Sequence, residues 1–299
     1  MADGVGEYRA GYVVLCGRSN VGKSTLLNRI IGEKVAIVTP RPQTTRRRIV
    51  GIRTDADAQL ILVDTPGVHE ATRLLNRRMV EVARESMAQA DVVAVLVEAG
   101  EKLDPQDRAM LAEVRKLGRP AAVIINKIDL VLRPSLIPLA EECARLAPDA
   151  EIIPISALSG ENVPELLATL KRMLPAGPAL MPEDQYTDQT ERGLVEEIIR
   201  EKIFLAMRQE IPFSTAVKVE QFTEVEGRNL VRIYATIIVD RDSHKGMMIG
   251  AGGQRLKQIG QSARLEIERQ VGKRVFLELN VKVEKNWTRD PRRLSELGL

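Results

Sequence analysis

The octapeptide G-R-S-N-V-G-K-S at Gly17–Ser24 sets two glycines, a lysine and a hydroxyl at the spacing that surrounds a polyphosphate. Gly17 and Gly22 let the backbone approach an anion with no Cβ in the way. Peptide amides of Arg18, Ser19, Asn20, Val21, Gly22, Lys23, Ser24 and Thr25 can then point inward, reinforced by the positive end of a following helix. Lys23 is placed to reach β- and γ-phosphates, and the Ser24 hydroxyl to face Mg²⁺.

Three later motifs extend this chemistry. Asp64-Thr65-Pro66-Gly67 alone makes an ordinary turn. About forty residues after a phosphate loop, its Asp64 can hold Mg²⁺ through water and its Gly67 amide can face a γ-phosphate. In Asn126-Lys127-Ile128-Asp129, the Asp129 carboxylate can accept from the N1–H and exocyclic amine of guanine, donors that adenine lacks at those positions. Leaving such an acceptor unpaired costs about 1–3 kcal/mol, so adenine is rejected. Lys127 would lie over the purine, and Asn126 would tie this loop to the phosphate loop. Ser156-Ala157-Leu158 offers backbone contact to the guanine oxygen.

These residues need a scaffold that gathers strand ends. Apolar runs at Gly11–Leu15, Arg47–Thr54, Ala58–Val63, Asp91–Val97, Ala121–Ile125 and Glu151–Ile155 read as strands. Between them, Lys23–Ile31, Asn76–Gln89, Pro105–Leu117, Ser135–Leu146 and Pro164–Leu174 carry helical spacing. The alternation predicts an α/β domain with a doubly wound, mostly parallel sheet, and the motifs fall at carboxyl ends of its strands. Leu174–Pro182, with three prolines and a glycine, breaks both periods. The expected division is a nucleotide domain over 1–176, a linker over 177–189 and a smaller α+β domain over 190–299.

In the second half the order is α-β-β-α-α-β: a helix over Thr190–Arg208, alternating runs at Ser214–Val225 and Asn229–Val239, helical stretches at Lys245–Gly260 and Gln261–Val271, and a final strand at Val275–Val283. Met248-Ile249-Gly250-Ala251-Gly252-Gly253 sets an apolar-G-x-x-G core between two helices. Glycines there admit a nucleic-acid backbone to a helix N-terminus, though a plain helix corner also needs glycines. The inner pair Ala251-Gly252 has no cation, so Lys245, Arg255 and Lys257 are expected to supply phosphate contacts. Trp287 could stack on a base; a lid on the core is the preferred expectation.

Composition narrows the class. With 44% hydrophobic and 28% charged residues, 299 residues suit two ordinary globular domains. No apolar run approaches the roughly 20 residues of a membrane span, and the first residues lack a signal-peptide pattern, so a cytoplasmic setting is expected. Cys16 and Cys143 offer no disulfide framework, and Cys16 reads as a small buried hydrophobe. The net charge of +3 falls wholly within 185–299, a weak pointer to a polyanion. Arg46-Arg47-Arg48 is expected on a solvated face, and His69 is rejected as a general base because phosphoryl transfer mostly needs positioning and charge stabilisation.

Taken together, the phosphate loop, Q-T-T-R at Gln43–Arg46, D-T-P-G-V-H at Asp64–His69, N-K-I-D and S-A-L resemble the translation-factor-like GTPases, specifically the Era family, and the second half resembles the type II KH domain of that family. The resemblance covers essentially the full length. It implies binding and hydrolysis of GTP to GDP with Mg²⁺, with Lys23, Thr45, Asp64 and Gly67 at the reacting phosphate and Ser24, Thr45 and Asp64 around the metal. Either Thr44 or Thr45 should close over Mg²⁺, and Thr45 is preferred. Val68 cannot orient water as a glutamine would, so slow intrinsic hydrolysis is expected. Asn20 matches relatives that recruit K⁺, against an equal case for bracing the loop. For RNA, the resemblance implies Ile249, Gly250, Ala251, Gly252 and Gly253 at the 3′ region of small-subunit ribosomal RNA, and a monomer that assists assembly of the small ribosomal subunit, with peripheral contact at the inner membrane face. Rival classes are an RNA-binding protein whose nucleotide only stabilises the fold, and an ATP-driven RNA remodeller, which N-K-I-D opposes.

Overall fold

The computed structural model describes residues 7–41, 44–67, 74–100, 102–207 and 211–299. They form two compact units, the second made of Gln189–Leu299 together with the segment Ile37–Arg41 and residues Leu74 and Leu75.

In chain order the first unit runs β1 (Arg9–Cys16), α1 (Lys23–Ile31), β2 (Ile49–Thr54), β3 (Ala58–Asp64), α2 (Leu74–Gln89), β4 (Val92–Glu98), α3 (Pro105–Leu117), β5 (Ala121–Asn126), α4 (Leu136–Leu146), β6 (Glu151–Ile155) and α5 (Val163–Met173). The strands make one sheet in the order β2-β3-β1-β4-β5-β6, in which only β2 is antiparallel to its neighbour. Near-continuous apolar runs follow from having both faces covered. Val13, Leu15, Leu60 and Leu62 join a core with α1 and α5 residues such as Leu26 and Leu170. Their neighbours Val14, Cys16, Ile61 and Val63 join the opposite core with Met110, Leu111 and Leu139. Burial pushes the Cys16 thiol up to about 12, which leaves it an inert hydrophobe. Because β1 pairs with both β3 and β4, chain direction departs to either side of it, and the crevice at its carboxyl end is where α/β sheets bind ligands.

The proline-rich stretch is strapped to this unit. Gln59, fully buried, accepts from the Leu180 and Met181 amides at 2.7 and 2.8 Å and donates to the Met181 carbonyl at 2.9 Å. The Ile52 amide bonds Tyr186 O at 2.8 Å, and the Thr187 hydroxyl bonds Val50 O at 2.7 Å. Arg46 departs from expectation: it precedes β2 and is buried, while Arg48 is exposed and pairs with Asp188 at 3.8 Å.

The second unit continues with α6 (Glu191–Ala206), β7 (Thr215–Glu224), β8 (Leu230–Val239), α7 (Asp242–Ile249), α8 (Gln254–Val271), β9 (Arg274–Val283) and α9 (Pro291–Glu296). Its sheet has the order β7-β8-β9, with β7 antiparallel and β9 parallel to β8. Inward residues Val217, Ile233, Ile237 and Val275 pack with Ile199, Met248, Ile259 and Ile267 of the helices. Trp287 is buried and its Nε1 donates to Ser214 O at 3.2 Å, so it serves as the lid and not as a base platform. Two expectations are corrected. The helix break lies at 250–253, where Gly250, Gly252 and Gly253 hold φ of 73°, 55° and 76°, and α8 runs straight through Gly260. The chain also adds α9 after the last strand, opened by Pro291 and by the Asp290 carboxylate, which accepts from Arg292 N.

Candidate functional site

At the carboxyl end of β1 the chain takes conformations that demand glycine. Gly17 has φ 140°, and a Cβ there would lie 2.4 Å from Leu96 O. Gly22 has φ 103°, and a Cβ would lie 2.2 Å from Asn126 Nδ2. Asn20 between them is also left-handed, at φ 65°. From the start of α1, buried Lys23 arches back so that Nζ donates to Gly17 O at 3.0 Å and Arg18 O at 2.9 Å. Burial holds its ammonium below the usual lysine value, against the pull of Asp64. A cation so placed, with carbonyls for partners, is set to exchange them for phosphate oxygens.

Beside it three oxygens converge. Ser24 Oγ donates to Asp64 Oδ2 at 2.6 Å, Thr45 Oγ1 donates to the same oxygen at 3.2 Å, and the two hydroxyls are 3.0 Å apart. Asp64 is fully buried at the end of β3, and its other oxygen, Oδ1, has no hydrogen-bond partner among the described residues. Burial pushes the carboxyl up, while Lys23 and the two hydroxyls pull it down. Hydroxyl and carboxylate oxygens with an orphaned buried lone pair are the donor set of a hard cation such as Mg²⁺, so these residues fit that metal. Of the two threonines it is Thr45 that reaches Ser24 and Asp64. Gly67 packs on the loop, where a Cβ would lie 2.6 Å from Ser19 Oγ and 2.7 Å from Ser19 N. Gln43, Val68 and His69 lie outside the described residues.

The base-side motifs interlock as expected of Asn126. Its Nδ2 donates to Val21 O at 2.7 Å, and its Oδ1 accepts from Ala157 N at 2.9 Å. Lys127 is left-handed at φ 69° and its Nζ pairs with Glu98 at 2.9 Å. Asp129 lies exposed in the turn after β5. Ser156 is buried and its hydroxyl accepts from Ser159 N at 3.1 Å. The Ala157 amide is therefore already committed to Asn126.

In the second unit Ile249 ends α7 and Gly250–Gly253 turns the chain into α8. A Cβ at Gly250 would lie 2.8 Å from that of Arg255, whereas Gly252 and Gly253 face open space. Beside this turn a cleft of about 520 Å³ runs between α8 and β9, lined by Gly253, Leu256, Lys257 and Gly260 on one side and by Leu277 and Leu279 on the other. Lys257 is exposed at its rim, whereas the Arg255 guanidinium turns back to donate to Met247 O. Lys245 is half-buried on α7 and does not line the cleft.

A family model described as a 50S ribosome-binding GTPase matches residues 12–127, and a KH-domain model matches residues 210–288. The GTPase Era of Syntrophus aciditrophicus is 50% identical over 291 residues, covering 97% of this chain and 95% of that protein. The chain belongs to the Era family of GTPases. Era of Geobacter metallireducens is 46% identical over 97% of the chain. Among solved structures, a variant of Aquifex aeolicus Era bound to GDP.AlF4- superposes with a TM-score of 0.94 at 42% identity, covering 97% of this chain and 99% of that one. An Era in complex with MgGDPNP and nucleotides 1506–1542 of 16S ribosomal RNA gives the same values.

Several residues that hold this Era-family site together carry no local signal. Arg18 Nε donates to buried Asp107 at 2.9 Å and its Nη1 lies 3.3 Å from Asp104, anchoring the phosphate loop to the start of α3. Arg29 of α1 donates to Ala157 O at 3.2 Å and to Leu158 O, fixing the S-A-L turn. Gly260, which reads as a helix break, instead keeps the cleft open: its nearest neighbour would be Leu279 Cδ1 at 3.5 Å.

Proposed function

We propose that the first unit binds GTP with Mg²⁺ and hydrolyses it to GDP, and that nucleotide state sets how the second unit holds single-stranded RNA near the 3′ end of small-subunit ribosomal RNA, in assembly of that subunit. The observation that carries the nucleotide half is the convergence of Ser24, Thr45 and Asp64 beside the arched Lys23, with Asp64 Oδ1 left over. Ser24 and Thr45 would hold Mg²⁺ directly and Asp64 through water; the metal supplies charge neutralisation across the β- and γ-phosphates. Lys23 would leave the Gly17 and Arg18 carbonyls for the same phosphates, and the Gly67 amide would meet the outermost one. Asp129 would read the guanine N1–H and amine, and with Ala157 occupied the contact to the guanine oxygen falls to the Leu158 amide. Val68 offers water no hydrogen bond, so turnover without a partner is slow.

The RNA half is supported by the glycine turn and its cleft, and by the relative that binds 16S nucleotides. Within it Ile249, Gly250, Ala251, Gly252 and Gly253 would meet the RNA backbone, and Lys257 a phosphate. The protein would act as a cytoplasmic monomer, with any contact at the inner membrane face peripheral; among the described residues no helix is long and apolar enough to span a bilayer.

Nucleotide competition tests this reading. Bound GTP should be displaced by GDP and not by excess ATP, and Ser24→Ala should remove the gain in affinity that Mg²⁺ gives. Equal displacement by ATP would refute it.

A further inference from the structure

A cavity of about 370 Å³ opens at the end of the first unit's sheet opposite the phosphate loop. Ala121, the first residue of β5, lines it, whereas Asn126 at the nucleotide site is the last residue of that strand. Two helices end beside it, α3 just after Arg115 and α4 at its C-cap Ala147. The volume falls at the small end of the range for ligand pockets, about 300–1,000 Å³. Buried Val114 and Ala147, with half-buried Ala150, give an apolar floor. Three charged side chains, all on exposed residues, complete the lining: Arg115, Arg119 and Asp149. Arg119 is steadied by a hydrogen bond from Nη2 to Ala88 O at 3.3 Å. Arg115 and Asp149 have no side-chain hydrogen bond or ion pair among the described residues, not even with each other. Opposite charges that share one cavity without pairing suit a ligand that carries both.

The helix ends set its polarity. The last carbonyls of a helix lack intrahelical partners and carry partial negative charge. At α3 that charge is offset by Arg115 and Lys116 in the last turn. At α4 the last-turn Arg145 stands outside the cavity lining, and Asp149 adds to the negative end. Phosphate is disfavoured, because it belongs at helix N-termini and a dianion here would face two carboxyl-terminal ends. We propose that this cavity binds a free α-amino acid with an aliphatic side chain: its carboxylate on Arg115 and Arg119, its ammonium on Asp149, its side chain on Val114 and Ala147. No hydroxyl, thiol, imidazole or amine side chain is among the described residues that line it, so the ligand is an effector held unchanged and not a substrate. The occupant touches two elements that also reach the nucleotide site: β5 ends in Asn126, and α3 holds Arg18 of the phosphate loop through Asp107. Because the two sites lie at opposite ends of those elements, amino acid and guanine nucleotide bind together.

Titration calorimetry of the full chain with L-leucine, L-isoleucine and L-valine, with and without saturating GDP, tests this. At least one should bind saturably below about 10 mM, with GDP present or absent. Its N-acetyl derivative, which lacks the ammonium, and its amide, which lacks the carboxylate, should each bind about tenfold or more weakly. Arg115→Gln and Asp149→Asn should each weaken the amino acid about tenfold or more, with the melting temperature and GDP affinity of the parent retained. No saturable binding of any of the three would overturn the site. So would displacement by GDP, which would place the amino acid in the nucleotide site, or affinity that neither variant changes. Inorganic phosphate that binds more tightly than the amino acids, and is lost with Arg115→Gln, would overturn it in favour of a plain anion site.

Discussion

Ser24 Oγ donates to Asp64 Oδ2 across 2.6 Å, joining the first turn of α1 to the last residue of β3, forty positions away in sequence. The contact satisfies one carboxylate oxygen and leaves the other buried with no hydrogen-bond partner among the described residues. A charge held this way weakens the empty fold and becomes an asset once a cation arrives.

Opposite signs should therefore appear in one variant. Burial raises the Asp64 pKa in the folded state, so the fold binds that proton more tightly than the unfolded chain does. Stability conferred by protonation is lost as pH climbs from the ordinary carboxyl value of 3.8 through the raised folded value, and the penalty persists at neutral pH. Asp64→Asn should raise the nucleotide-free melting temperature at pH 7 and abolish the further rise that Mg²⁺ with GTP gives the parent. Thermal unfolding with and without ligand measures both.

Lys23 runs the other way. Its folded pKa is depressed, so the cost of burying its charge is present below that value and relieved as pH rises from it toward 10.5. Lys23→Met should stabilise the nucleotide-free protein at neutral pH and lose GTP affinity. A Lys23→Met chain that keeps the parent's GTP affinity in equilibrium binding would remove Lys23 from the phosphate site.

Asn126 joins two loops through buried bonds to Val21 O and Ala157 N. Asn126→Ala strands both backbone groups, each costing about 1–3 kcal/mol. Unfolding in urea should show a loss of about 2 kcal/mol or more, together with weaker guanine nucleotide binding. Asp129 is exposed, so Asp129→Asn should leave stability within about 0.5 kcal/mol while lowering GTP affinity roughly tenfold or more.

Gly260 predicts a trade between stability and binding. A glycine inside a helix costs about 0.5–1 kcal/mol relative to alanine, yet α8 keeps one where it faces Leu279 across the cleft. Gly260→Leu should preserve or raise stability and abolish RNA binding, read by denaturant unfolding and filter binding on the same sample.

The contiguous motifs were legible because each sits at a strand end and carries its chemistry in neighbouring residues. Long-range partners were not: Arg18 meets Asp107 at a separation of 89 residues, and Arg29 meets Ala157 at 128. Helical spacing continues on both sides of 250–253, so periodicity could not separate a break there from one at Gly260; the left-handed φ values do. Arg46 reads as solvated by type and is buried by topology. Only α9 left a usable signal, Asp290-Pro291, a capping pair followed by helix formers.

RNA affinity as a function of nucleotide state tests the central claim most directly. With an oligonucleotide from the 3′ end of small-subunit ribosomal RNA, the full chain should bind several-fold or more tightly in one of the GTP-analogue and GDP states than in the other. Thr45→Ala, which removes a hydroxyl from the Ser24–Asp64 cluster, should erase the difference. Equal affinities with GTP analogue, GDP and no nucleotide would contradict it, leaving an RNA-binding protein that a nucleotide merely stabilises.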